Sequence, residues 1–414
     1  MEDIIEKAEY CLNCKIKPCN KSCPLENDIP AFIKLVKEKE YEKAFNVLLD
    51  TTVLMPICGR ICPHEKQCQG SCVRGIKSNP VSIGELEAFI GDMALENDYK
   101  IRVLEEPKKE KIAIIGGGPA GITAAVYLVR RGYNVTIYEK HSKLGGLLRH
   151  GIPEFRLEKE LLDKWLEKLI NLGIKVQYNC ELGKDIKIEQ LLDEYDAVLL
   201  SFGANISSKM NIEGEQLDGV YGGNELLEKA LHPDYKNKKV AVIGGGNVAM
   251  DTARTIKRMG AKEVNIIYRR AEKQMPAEKK EIQDVKNEGI NLLFQTNIVK
   301  ILGQTEVEKI ECIKTKLIKK EDEHREVPVN IEGSNELIDI DYVVMAVGSE
   351  TEKAVVENLG VGLTKWGYIK IDEEYKTTKE KVFAAGDLAG TKATVAWAAR
   401  SGKNVARAIV DFFK

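Results

Sequence analysis

At 414 residues the chain is too long for one hydrophobic core and should divide into about two to four domains. Its 62 Lys and Arg against 64 Asp and Glu leave a net charge of −2, and with no polybasic block and few aromatics a nucleic-acid partner is excluded. The opening MEDIIEKAEY is acidic where a secretory signal would be basic and then apolar, and no run of about 20 apolar residues could span a membrane, so a cytoplasmic protein away from membranes is expected.

Cysteines come first in the chain. Residues 11 to 24 read CLNCKIKPCNKSCP, which places Cys11, Cys14, Cys19 and Cys23 ahead of Pro24. A second set follows as Cys58 and Cys62 before Pro63, then Cys68 and Cys72. The cytosol keeps thiols reduced, so metal binding or catalysis is a better reading than disulfides. Iron-sulfur clusters need four soft thiolates around a compact core, close runs ending in Cys-Pro supply them, and eight thiols suggest two clusters. Structural zinc is the rival, but it favours paired C-x₂-C knuckles, of which only Cys11 and Cys14 form one. Cys180 and Cys312 stand alone and are expected to be small buried hydrophobes. Between the two sets, IPAFIKLVKEKEYEKAFNVLLD carries Ile29, Phe32, Ile33, Val36 and Phe45 at helical spacing. Residues 1 to about 105 thus read as an all-α domain, closed by the charged linker VLEEPKKEK.

After the linker the pattern becomes β-rich runs leading through glycines into helices, and it does so twice, at 111 to 140 and at 239 to 270. An internal repeat of this kind means two related nucleotide-binding folds with parallel sheets. The fold class is therefore α/β, with two Rossmann-like dinucleotide-binding domains preceded by an all-α iron-sulfur domain. The first spans 106–235 and 346–414, interrupted by the second at 236–345.

In the first repeat Gly116, Gly118 and Gly121 follow the strand Lys111 to Ile115. The first glycine allows the tight turn, the second lets backbone approach a pyrophosphate, and the third lets helix pack on strand. The diphosphate then sits on a helix N-terminus. Glu139 closes the second strand, where a carboxylate can accept from ribose hydroxyls. Near the C-terminus, KVFAAGDLAG reads as a strand ending in Gly386 and Asp387, suited to a ribityl chain. A helix from about Thr394 and Val395 would turn its positive end to a flavin ring and favour the anionic reduced form. This combination points to FAD.

The second repeat has Gly244, Gly246 and Ala249, but its second strand ends in Tyr268, Arg269 and Arg270 with no acid. A carboxylate would repel a 2′-phosphate, whereas guanidinium groups bind one in a forked, charge-assisted contact. NADP is therefore expected over NAD.

Over nearly its full length the chain resembles the small subunit of glutamate synthase and its relatives, which include the electron-input part of dihydropyrimidine dehydrogenase and the large subunit of NADH-dependent ferredoxin:NADP oxidoreductase. The matching stretches are CLNCKIKPCNKSCPLENDIP, CGRICP, VSIGELEAFI, IIGGGPAG, GGLLRHGIPEFRL, VIGGGNVAMDTA, YRRAEKQMPAE and AAGDLAG. The resemblance implies two [4Fe-4S] clusters with crossed ligation, one held by Cys11, Cys14, Cys19 and Cys72. The other would take Cys23, Cys62, Cys68 and a carboxylate, Glu87, leaving Cys58 aside. It adds Gly145, Gly146 and Arg156 to the FAD site and Asn247 to the NADP site.

The expected chemistry is hydride transfer from NADPH directly to FAD, with no protein acid or base, then single-electron passage through the clusters to a large subunit or a ferredoxin. A flavin disulfide reductase is disfavoured by the missing C-x₂-C pair in the nucleotide domains. A zinc-stabilised interaction module is a third reading. Met275, Pro276 and Glu278 match the family without a role that the sequence itself supplies.

Overall fold

The computed structural model describes residues 2–319 and 326–414. The chain forms two compact units, one of Met1–Arg149, Glu154–Ala204 and Thr351–Lys414, the other of His150–Pro153 and Asn205–Glu350.

The first unit begins with six helices: α1 (Glu2–Glu9), α2 (Pro18–Ser22), α3 (Ile29–Lys37), α4 (Tyr41–Leu49), α5 (Met55–Ile61) and α6 (Ile83–Glu96). The long apolar periodicity of residues 29–50 is two helices, because Lys39 turns into the left-handed region at φ 60. Asp28 starts α3 by accepting from the Ala31 amide, with Pro30 in the first turn. The stripe read from the sequence is buried, with Ile29, Phe32, Ile33, Val36 and Phe45 all inside.

The unit continues as β1 (Lys111–Ile115), α7 (Pro119–Arg130), β2 (Asn134–Tyr138), α8 (Leu147–His150), α9 (Lys159–Ile170), β3 (Lys175–Gln177), α10 (Ile188–Glu194) and β4 (Ala197–Leu200). The charged linker before β1 lies against this fold: the Leu104 amide donates to the Arg130 carbonyl and Lys108 to Gly132. The helical region is bound to it as well. The fully buried Trp165 of α9 donates its indole N–H to the Val53 carbonyl at 2.9 Å, and Arg130 of α7 donates to the Leu49 carbonyl at 3.0 Å. These bonds make one compact unit of what the sequence divides at about residue 105.

The second unit holds β5 (Ile206–Ser207), β6 (Val220–Gly222), α11 (Gly223–Lys229), β7 (Lys239–Ile243), α12 (Asn247–Arg258), β8 (Glu263–Tyr268), α13 (Lys279–Asn287), β9 (Asn291–Phe294), β10 (Thr296–Leu302), β11 (Lys309–Ile318), β12 (Val327–Asn330), β13 (Glu336–Asp339), β14 (Tyr342–Met345) and β15 (Ser349–Glu350). Its main sheet runs β6-β14-β7-β8-β9, all parallel. Because β6 is its edge strand, this unit takes in residues ahead of 236, where the sequence pattern changes. An antiparallel layer of β10, β11, β12 and β13 packs Ile298, Ile310 and Cys312 against the main sheet.

The chain then returns to the first unit through α14 (Lys353–Glu357), β16 (Val382–Ala384) and α15 (Val395–Phe412). The first sheet, ordered β16-β4-β1-β2-β3, is parallel throughout. As in other doubly wound sheets, its carboxyl ends form the crevice where a ligand sits.

Candidate functional site: two glycine loops and two cysteine groups

Gly116 leaves β1 with φ +99, and a Cβ there would stand 2.6 Å from the Phe202 Cα. Gly121 is needed for close approach: its Cβ would meet the Gly116 carbonyl oxygen at 2.1 Å and the Ser201 Oγ at 2.7 Å. Gly118 is the N-cap of α7, with Pro119 next. The space over Gly118 is open, bounded only by the Gly146 Cα at 4.0 Å. The loop carrying Gly145 and Gly146 docks here, the Gly145 amide donating to the Gly117 carbonyl at 2.8 Å. An open backbone cradle at a helix N-terminus fits a diphosphate.

Glu139 is buried just beyond β2 and accepts from the Gly117 amide through Oε2 and from the His141 amide through Oε1, both at 2.9 Å. Each carboxylate oxygen has a second lone pair, so the capacity to accept from hydroxyls remains. Arg156 is half-buried between α8 and α9.

At the other end of the same sheet, β16 stops at Ala384, earlier than the sequence pattern suggests. Gly386 turns at φ +75 and donates its amide to the Ser401 hydroxyl at 3.0 Å, so Gly386 and Asp387 lie in a short 3-10 turn. Desolvation raises the Asp387 carboxyl pKa, opposed by a hydrogen bond from Thr391. Thr394 caps α15, its hydroxyl accepting from the Trp397 amide.

Farther along, α15 reaches the cysteine region. Arg400 donates to the Pro24 carbonyl at 2.9 Å and pairs with Glu26 at 3.1 Å, while Lys403 donates to the Leu25 carbonyl at 3.0 Å. One helix thus begins beside the Gly386–Asp387 turn and is tied to the segment just after Cys23. Nothing in the sequence marked Arg400 or Lys403, since cations on a helix are ordinarily solvated.

The cysteines fall into two groups. Cys11, Cys14, Cys19 and Cys72 line one cavity. Cys23, Cys62 and Cys68 are buried together with Glu87. Burial pushes Cys19 up to about 11 and Cys23 up to about 12, and it raises Cys68 as well. Cys62 is raised by its hydrogen bond with Cys58 and by burial. Desolvation lifts Glu87 to about 8, against a hydrogen bond from Asn27.

Buried soft donors that resist ionisation alone become good thiolates once a cationic core draws off their protons, so this donor set fits an iron-sulfur group. Among the described residues no three His, Cys, Asp or Glu side chains meet as ligands of a single metal ion. Ligands of a cubane each take a separate iron and stand wider apart. Cys312 is buried in the core of the second unit, and Cys180 is half-buried against that of the first.

In the second unit Gly244, Gly246 and Ala249 repeat the plan between β7 and α12, Gly246 being the N-cap and Ala249 fully buried. Arg269 is exposed beyond β8 and Arg270 half-buried. The Arg270 Nε is buried without a hydrogen-bond partner, which fits an anionic group. The stretch Met275 to Glu278, which had no role in the sequence reading, braces this loop: the Ala277 amide donates to the Gly245 carbonyl at 3.0 Å. Asn247 and Glu278 exchange hydrogen bonds, side-chain amide to carboxylate and backbone amide to side-chain oxygen, each at 3.2 Å.

Comparison with known proteins agrees with this geometry. Residues 110–402 match the pyridine nucleotide-disulphide oxidoreductase family, and residues 1–99 match dihydropyrimidine dehydrogenase domain II, 4Fe-4S cluster. The glutamate synthase [NADPH] small chain of Escherichia coli is 32% identical over 99% of this chain and 91% of its own length. The chain belongs to the glutamate synthase small-chain family. The family's members are NAD(P)H-dependent flavin oxidoreductases with an iron-sulfur electron-transfer region, and this chain is one of them. It is also 36% identical, over 98% of its residues, to the longer Escherichia coli oxidoreductase AegA, of which it spans 65%. Mycobacterium tuberculosis FprA, solved in complex with NADPH, shares the fold at a TM-score of 0.66 and 19% identity, over 74% of this chain and 85% of that one. Among the described residues no helix is long and apolar enough to cross a membrane.

Proposed function

We propose that this chain is the electron-input subunit of a larger enzyme, oxidising NADPH at the second glycine loop and delivering electrons through the cysteine region to a partner subunit. The observation that carries the reading is the division of the cysteines into two groups within the unit that also holds the first glycine loop. When bound, FAD takes two electrons as a hydride from NADPH and releases them singly to two [4Fe-4S] clusters. The chain's own residues bind and orient. Gly116, Gly118 and Gly121 with the α7 N-terminus receive the FAD diphosphate, Glu139 the ribose, and Gly145, Gly146, Arg156, Gly386, Asp387, Thr394 and Val395 the rest of the flavin. Gly244, Gly246, Asn247 and Ala249 receive the NADPH diphosphate, and Arg269 with Arg270 its 2′-phosphate.

One cluster takes Cys11, Cys14, Cys19 and Cys72. The other takes Cys23, Cys62, Cys68 and Glu87, all of them buried. Asn27 donates to Glu87 Oε1 at 3.2 Å while accepting from Thr51 at 2.7 Å, which fixes the carboxylate. Cys58→Ala should therefore keep full iron and Glu87→Ala should lose about half of it; the reverse pattern in an iron and labile-sulfide assay would transfer the ligand role to Cys58.

Anaerobic NADPH should bleach the flavin and then diminish the broad visible absorption of the clusters. Unchanged spectra in protein carrying FAD would overturn the assignment. Arg270→Ala should raise the KM for NADPH about 10- to 100-fold, the worth of a charge-assisted hydrogen bond, and leave that for NADH unchanged. A parallel loss with both nucleotides would remove Arg270 from phosphate recognition.

The partner subunit follows from relatives named as small or beta chains of larger enzymes. A glutamate synthase large chain is the leading acceptor. A dihydropyrimidine dehydrogenase or a ferredoxin:NADP oxidoreductase assembly, with electrons flowing in either direction, is the alternative.

A further inference from the structure

A cavity of about 620 Å³ opens where α15 passes the segment after Cys23, wholly within the first unit. That volume falls inside the ~300–1,000 Å³ typical of small-molecule sites. One face of α15 lines it, since Arg400, Lys403, Asn404, Arg407 and Asp411 recur at helical spacing. Pro24, Glu26, residues 373–376 and Phe412 also contribute. None of these residues belongs to a glycine loop or a cysteine group.

The charges of the lining do not all find partners within it. Glu26 is paired with Arg400 at 3.1 Å, Glu374 with Lys376, and Asp411 with Lys414 at 2.7 Å. Glu373 is exposed, so water solvates its carboxylate. Two cations remain. Lys403 is half-buried and donates to the Leu25 carbonyl at 3.0 Å, with no carboxylate in ion-pair range among the described residues. Desolvation lowers its pKa, Glu26 opposes this, and Arg407 and Arg400 add to the lowering. Arg407, one turn farther on, is exposed and makes no hydrogen bond or ion pair among the described residues. A desolvated ammonium close to two guanidinium groups is an unfavourable arrangement that an anion in the cavity would offset. A phosphate group carries enough acceptor oxygens to meet Lys403 and Arg407 together.

The cavity also has an aromatic side. Phe412 is 39% exposed although it packs T-shaped on Phe383 and Phe413, at centroid distances of 5.6 and 5.1 Å. Tyr375 is held by the Asn404 side-chain amide, which donates to its hydroxyl at 3.1 Å. Fixed aromatic faces suit a flat ring. Carboxylates such as Glu373 and Glu374 accept from hydroxyl and amino groups, so the acidic members of the lining have a use toward a sugar or a base.

We propose that this cavity is a third nucleotide site, apart from the two glycine loops, and that it binds a nucleoside diphosphate with its phosphates on Lys403 and Arg407 and its base against Tyr375 and Phe412.

The test titrates ADP by calorimetry into the full chain carrying FAD and iron, with NADP⁺ at saturation so that both glycine loops are filled. One further site per chain should bind. Arg407→Glu removes an exposed cation and should leave flavin and iron content unchanged, yet weaken ADP at least about 10-fold, as expected for the loss of a charge-assisted hydrogen bond. Phe412→Leu keeps the apolar bulk and should weaken ADP about 3- to 10-fold while leaving the affinity for inorganic phosphate unchanged. Adenosine, which lacks the phosphates, should bind at least about 10-fold more weakly than ADP. Absence of binding in the parent chain, or ADP affinity unchanged in Arg407→Glu, would overturn the proposal. Inorganic phosphate binding as tightly as ADP would do the same, because the aromatic pair would then have no part. ADP binding is read separately from bleaching by NADPH, so this inference and the electron-input reading fail independently.

Discussion

Gly121→Val protein should purify with less than about a tenth of the flavin bound by the parent chain, because the third glycine sets how closely α7 lies on β1. Any Cβ at position 121 would stand 2.1 Å from the Gly116 carbonyl oxygen, and that oxygen is backbone, not the movable end of a side chain. The helix must therefore shift, carrying with it the α7 N-terminus and the open cradle over Gly118. Overpacking of this kind costs about 1–3 kcal/mol in addition to the lost ligand. Iron content should hold, since the clustered cysteines all precede β1 in the chain. Flavin absorbance measured beside an iron assay decides the matter. A variant with stoichiometric flavin would show that α7 can be displaced without harm to the site.

Trp165→Ala should destabilise the first unit by about 3–5 kcal/mol, the usual cost of removing a large buried aromatic. Trp165 is fully buried on α9, and its indole N–H is bonded to the Val53 carbonyl of the cysteine-bearing region. The substitution thus opens a cavity and leaves a buried carbonyl unpaired. Trp165→Phe retains most of the packing and forfeits the hydrogen bond, for which about 1 kcal/mol is expected from packing-neutral losses of this type. Urea unfolding followed by circular dichroism should rank parent, Phe and Ala in that order. An Ala variant within about 1 kcal/mol of the parent would mean that the helical region and the nucleotide fold are held together elsewhere.

Much of the site was legible before folding. The strands at Lys111–Ile115 and Lys239–Ile243 have the bounds that their β-branched runs suggest. The glycine spacings after them carry their meaning locally, since a tight turn, a close helix and an open N-terminus follow from a few consecutive residues. The change from Glu139 to Arg269 and Arg270 at equivalent strand ends was visible for the same reason. Other features were not legible. One apolar stripe over residues 29–50 gave no sign that Lys39 would break it, because lysine seldom takes the left-handed conformation of a helix C-terminal turn, held here by backbone bonds from Lys39 to Val36 and from Glu40 to Leu35. Met275 to Glu278 had no periodicity to interpret, yet they brace the second glycine loop.

By itself the sequence determined the class of fold, the two dinucleotide loops and the presence of eight clustered thiols, because each is written in local spacing. Spacing alone did not say how those thiols divide; the family resemblance implied that Cys72 joins Cys11, Cys14 and Cys19, and the tertiary structure brings the four to one cavity across more than fifty intervening residues. It also decided that Glu87 is buried, as are the remaining four cysteines, Cys23, Cys58, Cys62 and Cys68, and that Arg400 and Lys403 tie α15 to the segment after Cys23. The physical reason is the same in each case. Burial and long-range partners convert ordinary surface-type residues, a carboxylate and two cations, into parts of a site, and no spacing along the chain records where folding will put them.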